Sequence, residues 1–211
     1  LNAYNPNGAL EITKTGDVNV AMQSADKVHE VTFTNKYVYH AQMEPLNAVV
    51  SVSSDKQSAE LWIGSQGPDE AQSAVAKVLG MDQSNVKVNQ LFLGGGFGRR
   101  TLPGYAAECA YLAQSVRGPV KLIWTREDDV SYGAFRPQVK HFLKAGLDKE
   151  GKIIAWDHCA VGPGGGLSNG GGNISHYDIK NVQFSRKDIN TGIRTKHWRA
   201  VGHGPHKYAV E

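Results

Sequence analysis

The sequence predicts an α+β fold, a mixed sheet with helices on one side, built from repeated strand-strand-helix modules. Three observations carry the prediction. Short runs enriched in β-branched and aromatic residues come in adjoining pairs, only two segments switch to a helical period, and Gly, Pro, Asn, Asp and Ser punctuate the joints. The order strand-strand-helix-strand-helix-strand-strand-strand interrupts the strands only twice, which argues against a strictly alternating α/β chain.

Residues 1–27 are polar with weak periodicity, an irregular lead-in with a short strand near Leu10–Thr13. Val28 to Tyr39 carries Val31, Phe33, Tyr37 and Tyr39, the composition of a strand. Ala48–Val52 and Ala59–Ile63 flank a polar Ser53-Ser54-Asp55-Lys56-Gln57 and read as a hairpin. From Asp69 the period changes: Ala71, Ala74, Val75, Val78 and Leu79 share one helical face, and Gly80 is placed to end the helix. Val86–Leu93 returns to strand composition and runs straight into Gly94-Gly95-Gly96-Phe97-Gly98. Ala106, Cys109, Ala110, Leu112 and Ala113 give a second helix over about Tyr105–Val116, closed by Gly118-Pro119. Val120–Trp124 is a short buried-type strand, and Val139–Leu147 with Ile153–Val161 forms another hairpin around Asp148–Lys152. Gly162–Gly172 holds seven glycines in eleven residues and reads as a flexible connector, either a native loop or a joint standing in for a longer segment. Tyr177–Ile179 and Val182–Phe184 look like strand fragments leading to the closing Trp198–Glu211. The expected organisation is therefore a first lobe at 1–161, a connector at 162–172 and a continuation at 173–211.

At 211 residues the chain is long enough to bury a core, and 40% apolar with 20% charged residues fits a loop-rich globular protein. A net charge of +3 with scattered basic residues argues against a nucleic-acid-binding face. No apolar run reaches the roughly 18 residues that a membrane span needs. Cys109 and Cys159 stand fifty positions apart without cysteine neighbours, so these cysteines cannot build an iron–sulfur cluster or a four-cysteine zinc site. Both read as small core residues. The chain starts at Leu1 without an initiator Met and stops in mid-pattern, so it reads as a piece of something longer.

The glycine run lies between a strand and a helix, where a phosphate-binding loop would lie. Yet G-x-G-x-x-G fails: counted from Gly94 the last glycine is Arg99, and counted from Gly96 it is Thr101. No acidic residue stands about twenty positions on, and no Gly-Lys-Ser or Gly-Lys-Thr occurs, so nucleotide binding is the weakest reading. What the glycines do allow is close approach of backbone amides to a ligand. Phe97 among them is either a wall beside that ligand or a ring folded into the core.

Gly94-Gly95-Gly96-Phe97-Gly98-Arg99-Arg100 resembles the glycine-phenylalanine loop of molybdenum hydroxylases, the xanthine dehydrogenase/aldehyde oxidase family, and in particular its isoquinoline 1-oxidoreductase branch. Four further stretches match in the same order: His40–Pro45, Gly64–Pro68, Trp124–Asp129 and Trp198–Gly202. The resemblance covers about residues 40–211 and implies an α+β unit of the large subunit that binds a molybdenum-pterin cofactor. It makes Gln66, Gly95, Gly96, Phe97, Gly98 and Arg199 the cofactor-facing residues. Gln66 would reach an oxygen ligand of the metal, the loop backbone would line the centre with Phe97 bounding the substrate space, and Arg199 would hold acceptor atoms in a planar, multidentate way. Taken without the resemblance, Gln66 is a surface residue beside a Gly-Pro turn and Arg199 a surface residue packed on Trp198. His40 and Glu44 have metal-ligand spacing for a helix, but Pro45 breaks that geometry and both read as structural.

Two departures separate the chain from the purine-oxidising branch: Thr101 stands where a glutamate would, and Phe135 stands at the substrate-pocket arginine, with Arg136 one place later. The resemblance implies hydroxylation of an aldehyde or N-heterocycle with oxygen from water, and electrons leaving through an iron–sulfur small subunit. The general-base glutamate would lie beyond Glu211, so no catalytic residue and no direct metal ligand is expected here, and the isolated piece is expected to be inactive. A periplasmic parent is an expectation by analogy with the branch. The competing reading is a non-catalytic scaffold or assembly module of the same fold.

Overall fold

The computed structural model describes residues 3–168 and 170–211. It divides into two compact units, Leu1–Val38 with Phe135–Glu211, and Tyr39–Ala134.

The Tyr39–Ala134 unit is built on a four-stranded sheet in the order β5-β4-β3-β6, from β3 (Asn47–Val52), β4 (Ala59–Ile63), β5 (Val86–Gln90) and β6 (Val120–Ile123). β3 and β4 form the expected antiparallel hairpin, whereas β4 and β5 are parallel and need the crossover helix α2 (Pro68–Leu79) between them. Pro68 at the first helical position, Asp69 and Glu70 in the first turn and left-handed Gly80 at the end fix the length of α2. Alternate residues Ala48 and Val50, and Ala59, Leu61 and Ile63, turn to one face and meet Ala71, Val75 and Ala76 of α2. Tyr105, Ala106, Cys109 and Ala110 of α3 (Gly104–Ala113) complete that core. Each fully buried Val, Leu or Ile contributes about 1.5–3 kcal/mol. The strand expected over Val86–Leu93 stops at Gln90, and Leu91, Phe92 and Leu93 are exposed. Sequence reasoning missed α4 (Arg126–Tyr132), whose Thr125-Asp128 capping box is a start signal on a helix too short to show a period.

The other unit carries a five-stranded sheet, β1-β9-β8-β7-β2, from β1 (Leu10–Thr15), β2 (Lys27–Asn35), β7 (Val139–Leu147), β8 (Ile153–Gly162) and β9 (Asn181–Asp188). β8 and β9 are parallel and the remaining pairs antiparallel, so both sheets are mixed. The α+β class stands, with the strands shared between two sheets rather than one. Two short helices, α1 (Val18–Gln23) and α5 (His203–Val210), were not expected. Tyr177–Ile179 forms a turn rather than a strand, whereas the fragment at Val182–Phe184 is the middle of β9.

The glycine-rich stretch is closely packed at Gly162, Gly164 and Gly170–Gly172 and open at Gly165. A Cβ on Gly172 would meet the Phe184 ring at 2.3 Å, and one on Gly171 would meet His203 Cα at 2.7 Å. Here glycine provides close approach; Asn169 lies outside the described residues. Cys109 and Cys159 are both free and buried, as expected.

Candidate functional site

The loop after β5 is held in shape by two buried or partly buried ion pairs and by Gln66. Gly95 (φ +94) and Gly98 (φ +99) take left-handed conformations, and so does Phe97 (φ +53), which has a Cβ to accommodate. A non-glycine residue in that region stores strain of about 1–3 kcal/mol, which persists only where neighbours dictate the backbone. The neighbours are specific. Glu44 Oε2 accepts from the Gly94 N–H at 2.8 Å, and the Glu44 N–H donates back to the Gly94 carbonyl at 3.0 Å. Arg100 is fully buried and spends its guanidinium on this corner: Nε donates to the Gly95 carbonyl (2.8 Å), Nη1 to the Gly64 carbonyl (3.2 Å), and Nη2 to Glu44 Oε2 (2.7 Å). Burial pushes the Glu44 carboxyl up, but the Gly94 N–H, the Asn47 amide and the Arg100 charge outweigh it and hold the group below its ordinary range.

Arg99 anchors the other side. Its Nε donates to Asp129 Oδ1 at 2.7 Å, while Tyr39 O–H (2.7 Å) and Gln42 Nε2 (2.6 Å) donate to Oδ2. Burial pushes Asp129 up as well, and the Tyr39, Arg99 and Gln42 contacts together hold it below the usual carboxylate range. Thr101 donates its hydroxyl to the Gly98 carbonyl at 2.7 Å and so closes the turn. His40 is buried against the Ala134 carbonyl and Glu44 is paired with Arg100, in a segment without helix, which agrees with a structural role for both. The glycines lead into a short 3-10 turn at Arg99–Thr101, and α3 starts only at Gly104, so they do not form the helix N-terminus that a phosphate loop uses.

Gln66 reaches across to the loop. The Gly98 N–H can only donate, so the Gln66 oxygen must accept, and Oε1 does so at 2.9 Å. The two N–H donors of the Gln66 amide take no part in that bond. Gly96 sits directly beneath: a Cβ there would lie 2.4 Å from Gln66 Oε1. The Phe97 ring lies over Gly95, whose added Cβ would be 3.1 Å from Phe97 Cε2, and the ring is 38% exposed rather than folded into the core. Among the described residues the backbone N–H groups of Gly95, Gly96 and Phe97 have no acceptor within the chain. Three backbone donors and one amide are thus left uncommitted on a stiff loop, a set suited to a ligand rich in oxygen, sulfur and phosphate acceptors.

Gln66, Gly95, Gly96, Phe97 and Gly98 are therefore brought together. Arg199 belongs to the other compact unit, exposed in a tight turn where Ala200 (φ 72) and Val201 (φ 48) are both left-handed. In that unit Arg136 lies 5.4 Å over the Trp198 ring, and its Nη2 donates to the Lys36 carbonyl at 3.1 Å. Sequence reasoning missed Arg99, Arg100 and Asp129 as the frame of the loop. Two arginines directly after a glycine run, in a chain with acids in two other matching stretches, were the available signal.

Residues 2–211 match the family model of the molybdopterin cofactor-binding domain. The beta subunit of isoquinoline 1-oxidoreductase from Brevundimonas diminuta is 35% identical over 133 residues, 63% of this chain and 17% of that protein. Xanthine dehydrogenase from Emericella nidulans is 30% identical over 183 residues, 86% of this chain and 13% of that protein. Aldehyde oxidoreductase from Desulfovibrio gigas shares the fold with a TM-score of 0.83 at 22% identity, over 96% of this chain and 23% of that one. The chain thus spans less than a quarter of the length of each. With its whole described length matched, the chain belongs to the molybdopterin cofactor-binding domain family, and it resembles the xanthine dehydrogenase/aldehyde oxidase class of molybdenum oxidoreductases.

Proposed function

We propose that this chain is the part of a molybdenum hydroxylase large subunit that grips the cofactor through the Gly95–Gly98 backbone and Gln66, and that residues 1–161 and 173–211 are two pieces of one cofactor-binding domain. The observation that supports it best is the set of uncommitted backbone N–H donors on a loop whose shape is fixed by Glu44, Arg100, Arg99 and Asp129. When bound, a molybdenum-pterin group would supply two-electron oxidation of carbon with oxygen from water. The chain's own residues bind and orient. Gln66, anchored by Gly98, would present its amide donors to an oxygen acceptor; Phe97 would bound the substrate space; and Arg199 would hold acceptor atoms of the cofactor. No residue of this chain is assigned proton transfer, which falls to a glutamate outside it.

The substrate class is an aldehyde or an N-heterocycle, and the branch nearest to isoquinoline 1-oxidoreductase is the preferred one, since Thr101 is occupied in closing the loop and offers no carboxylate to a purine. Electrons would leave through an iron–sulfur small subunit. The isolated chain, presenting part of the cofactor surface, would show no turnover. The test is the full-length subunit co-expressed with its iron–sulfur partner and assayed on aldehydes and N-heterocycles in isotopically labelled water. Label in a hydroxylated or carboxylate product supports the proposal, and turnover with oxygen from another source contradicts it.

A further inference from the structure

Within the unit of Leu1–Val38 and Phe135–Glu211, three histidines meet far from water. His141 on β7, His158 on β8 and His206 on α5 are all 0% exposed. Their ring centroids are 5.1–5.3 Å apart, and one ring nitrogen from each lies within 4.8 Å of the others. Phe184 closes the group, at 5.0 Å from His158 and 5.2 Å from His206. A dry core has no ordinary use for three imidazoles, because each brings two polar nitrogens that need partners.

The hydrogen bonds set the tautomers. Asn35 Nδ2 donates to the Pro205 carbonyl at 3.2 Å, which turns Asn35 Oδ1 towards His141 Nε2, also at 3.2 Å. His141 Nε2 therefore carries the proton, and its Nδ1 offers a bare lone pair to the interior of the cluster. That lone pair faces His158 Nε2 at 3.0 Å. The arrangement on His141, one nitrogen donating to a fixed carbonyl oxygen and the other turned inward, is the outer-shell pattern of a metal-ligating histidine. His158 Nδ1 is buried without a hydrogen bond of its own, and the Gly172 backbone lies beside that ring. Burial keeps His141 and His158 in the neutral form that has a lone pair to give.

We propose that His141, His158 and His206 form a buried three-imidazole site for a late first-row transition-metal ion. Entry of the ion replaces the His158–His141 hydrogen bond: the His158 proton moves from Nε2 to Nδ1, on the side of Gly172, and both facing nitrogens become ligands. The rings have to draw together, since ligating nitrogens around a tetrahedral ion at about 2.0–2.1 Å are about 3.3 Å apart. The cluster contains neither carboxylate nor thiolate among the described residues, so the ion would be held by neutral nitrogen alone. Imidazole donors suit Zn(II) and copper. The ion would join β7 and β8 to the eight-residue helix α5.

The test is titration of the chelator-stripped protein with Zn(II), and separately with Cu(I) under reducing conditions, followed by the ring-nitrogen NMR signals of its histidines. One equivalent of either ion should move the signals of His141, His158 and His206 and leave exposed His29 in place. His206→Ala should weaken binding by more than the roughly 10–100-fold that loss of an outer-shell partner costs, and Asn35→Ala should weaken it within that range. If His206→Ala does not fold, the wild-type signals still decide. Failure of both ions to move the three buried signals, or binding seen only at exposed histidines, overturns the site.

Discussion

Arg99 Nε donates to Asp129 Oδ1 across 2.7 Å, with only 3% and 2% of the two side chains exposed. The pair joins the end of the glycine loop to α4, and Tyr39 and Gln42 use the second carboxylate oxygen. An ion pair so deep is a costly way to gain stability, since both charges lose their hydration. Its value lies in position: it fixes where Gly95–Gly98 present their amides.

Removing one partner leaves the other charge buried and alone. Asp129→Ala should destabilise the protein by about 3–5 kcal/mol, measured as the shift in urea midpoint at constant slope. A loss below about 1 kcal/mol would show that the pair is solvated in solution.

Acid should act on the same corner. Asp129 and Glu44 are both held below their ordinary values of 3.8 and 4.5, so the unfolded chain takes up these protons first as the pH falls. The stability they contribute is complete above about pH 5 and is lost as the pH drops through the unfolded and then the folded values. Thermal melts between pH 6 and pH 3, roughly the span of that transition, should show a steep acid limb. Asp129→Asn with Glu44→Gln should flatten it, at a lower starting stability.

Glycines of two kinds should respond differently. Gly80 ends α2 at φ +69 with nothing within 4 Å of an added Cβ, so Gly80→Ala should cost about 1 kcal/mol through backbone conformation alone and leave cofactor content unchanged. Gly96→Ala puts a methyl 2.4 Å from Gln66 Oε1 and must displace that side chain. Its melting temperature should change little while the metal content of the full-length protein falls.

Phe97 offers a further separation of stability from activity. Phe97→Gly relieves a left-handed aromatic residue and should leave stability equal or higher by up to about 1 kcal/mol, while kcat/KM of the full-length enzyme falls. Lower stability with unchanged kinetics would mark the ring as packing only.

Much of this was legible in the chain because the signals are local. The α2 period, the β3–β4 and β7–β8 hairpins and the glycine loop each occupy one short stretch, and Gln66 stands directly before a Gly-Pro pair. The frame around the loop was not legible: Arg99 finds Asp129 30 positions on, and Arg100 finds Glu44 56 positions back. Nothing in composition pairs such distant charges. The helices α1, α4 and α5 span six, seven and eight residues, too few to display a period, although Asp17 and Thr125 announce the first two as caps. The glycines at 170–172 looked like slack and proved to be close contacts, because a glycine chosen for flexibility and one chosen for lack of a side chain are spelled alike.

The most direct test of the central claim is molybdenum content by elemental mass spectrometry. It would be measured on the full-length subunit with its iron–sulfur partner, on its Gln66→Ala and Gly96→Ala forms, and on the 211-residue chain alone. Metal near stoichiometry is expected in the unaltered full-length protein, with a marked loss in both variants and little or none in the isolated chain. Stoichiometric molybdenum that survives both substitutions, or none in the full-length protein, would contradict the central claim.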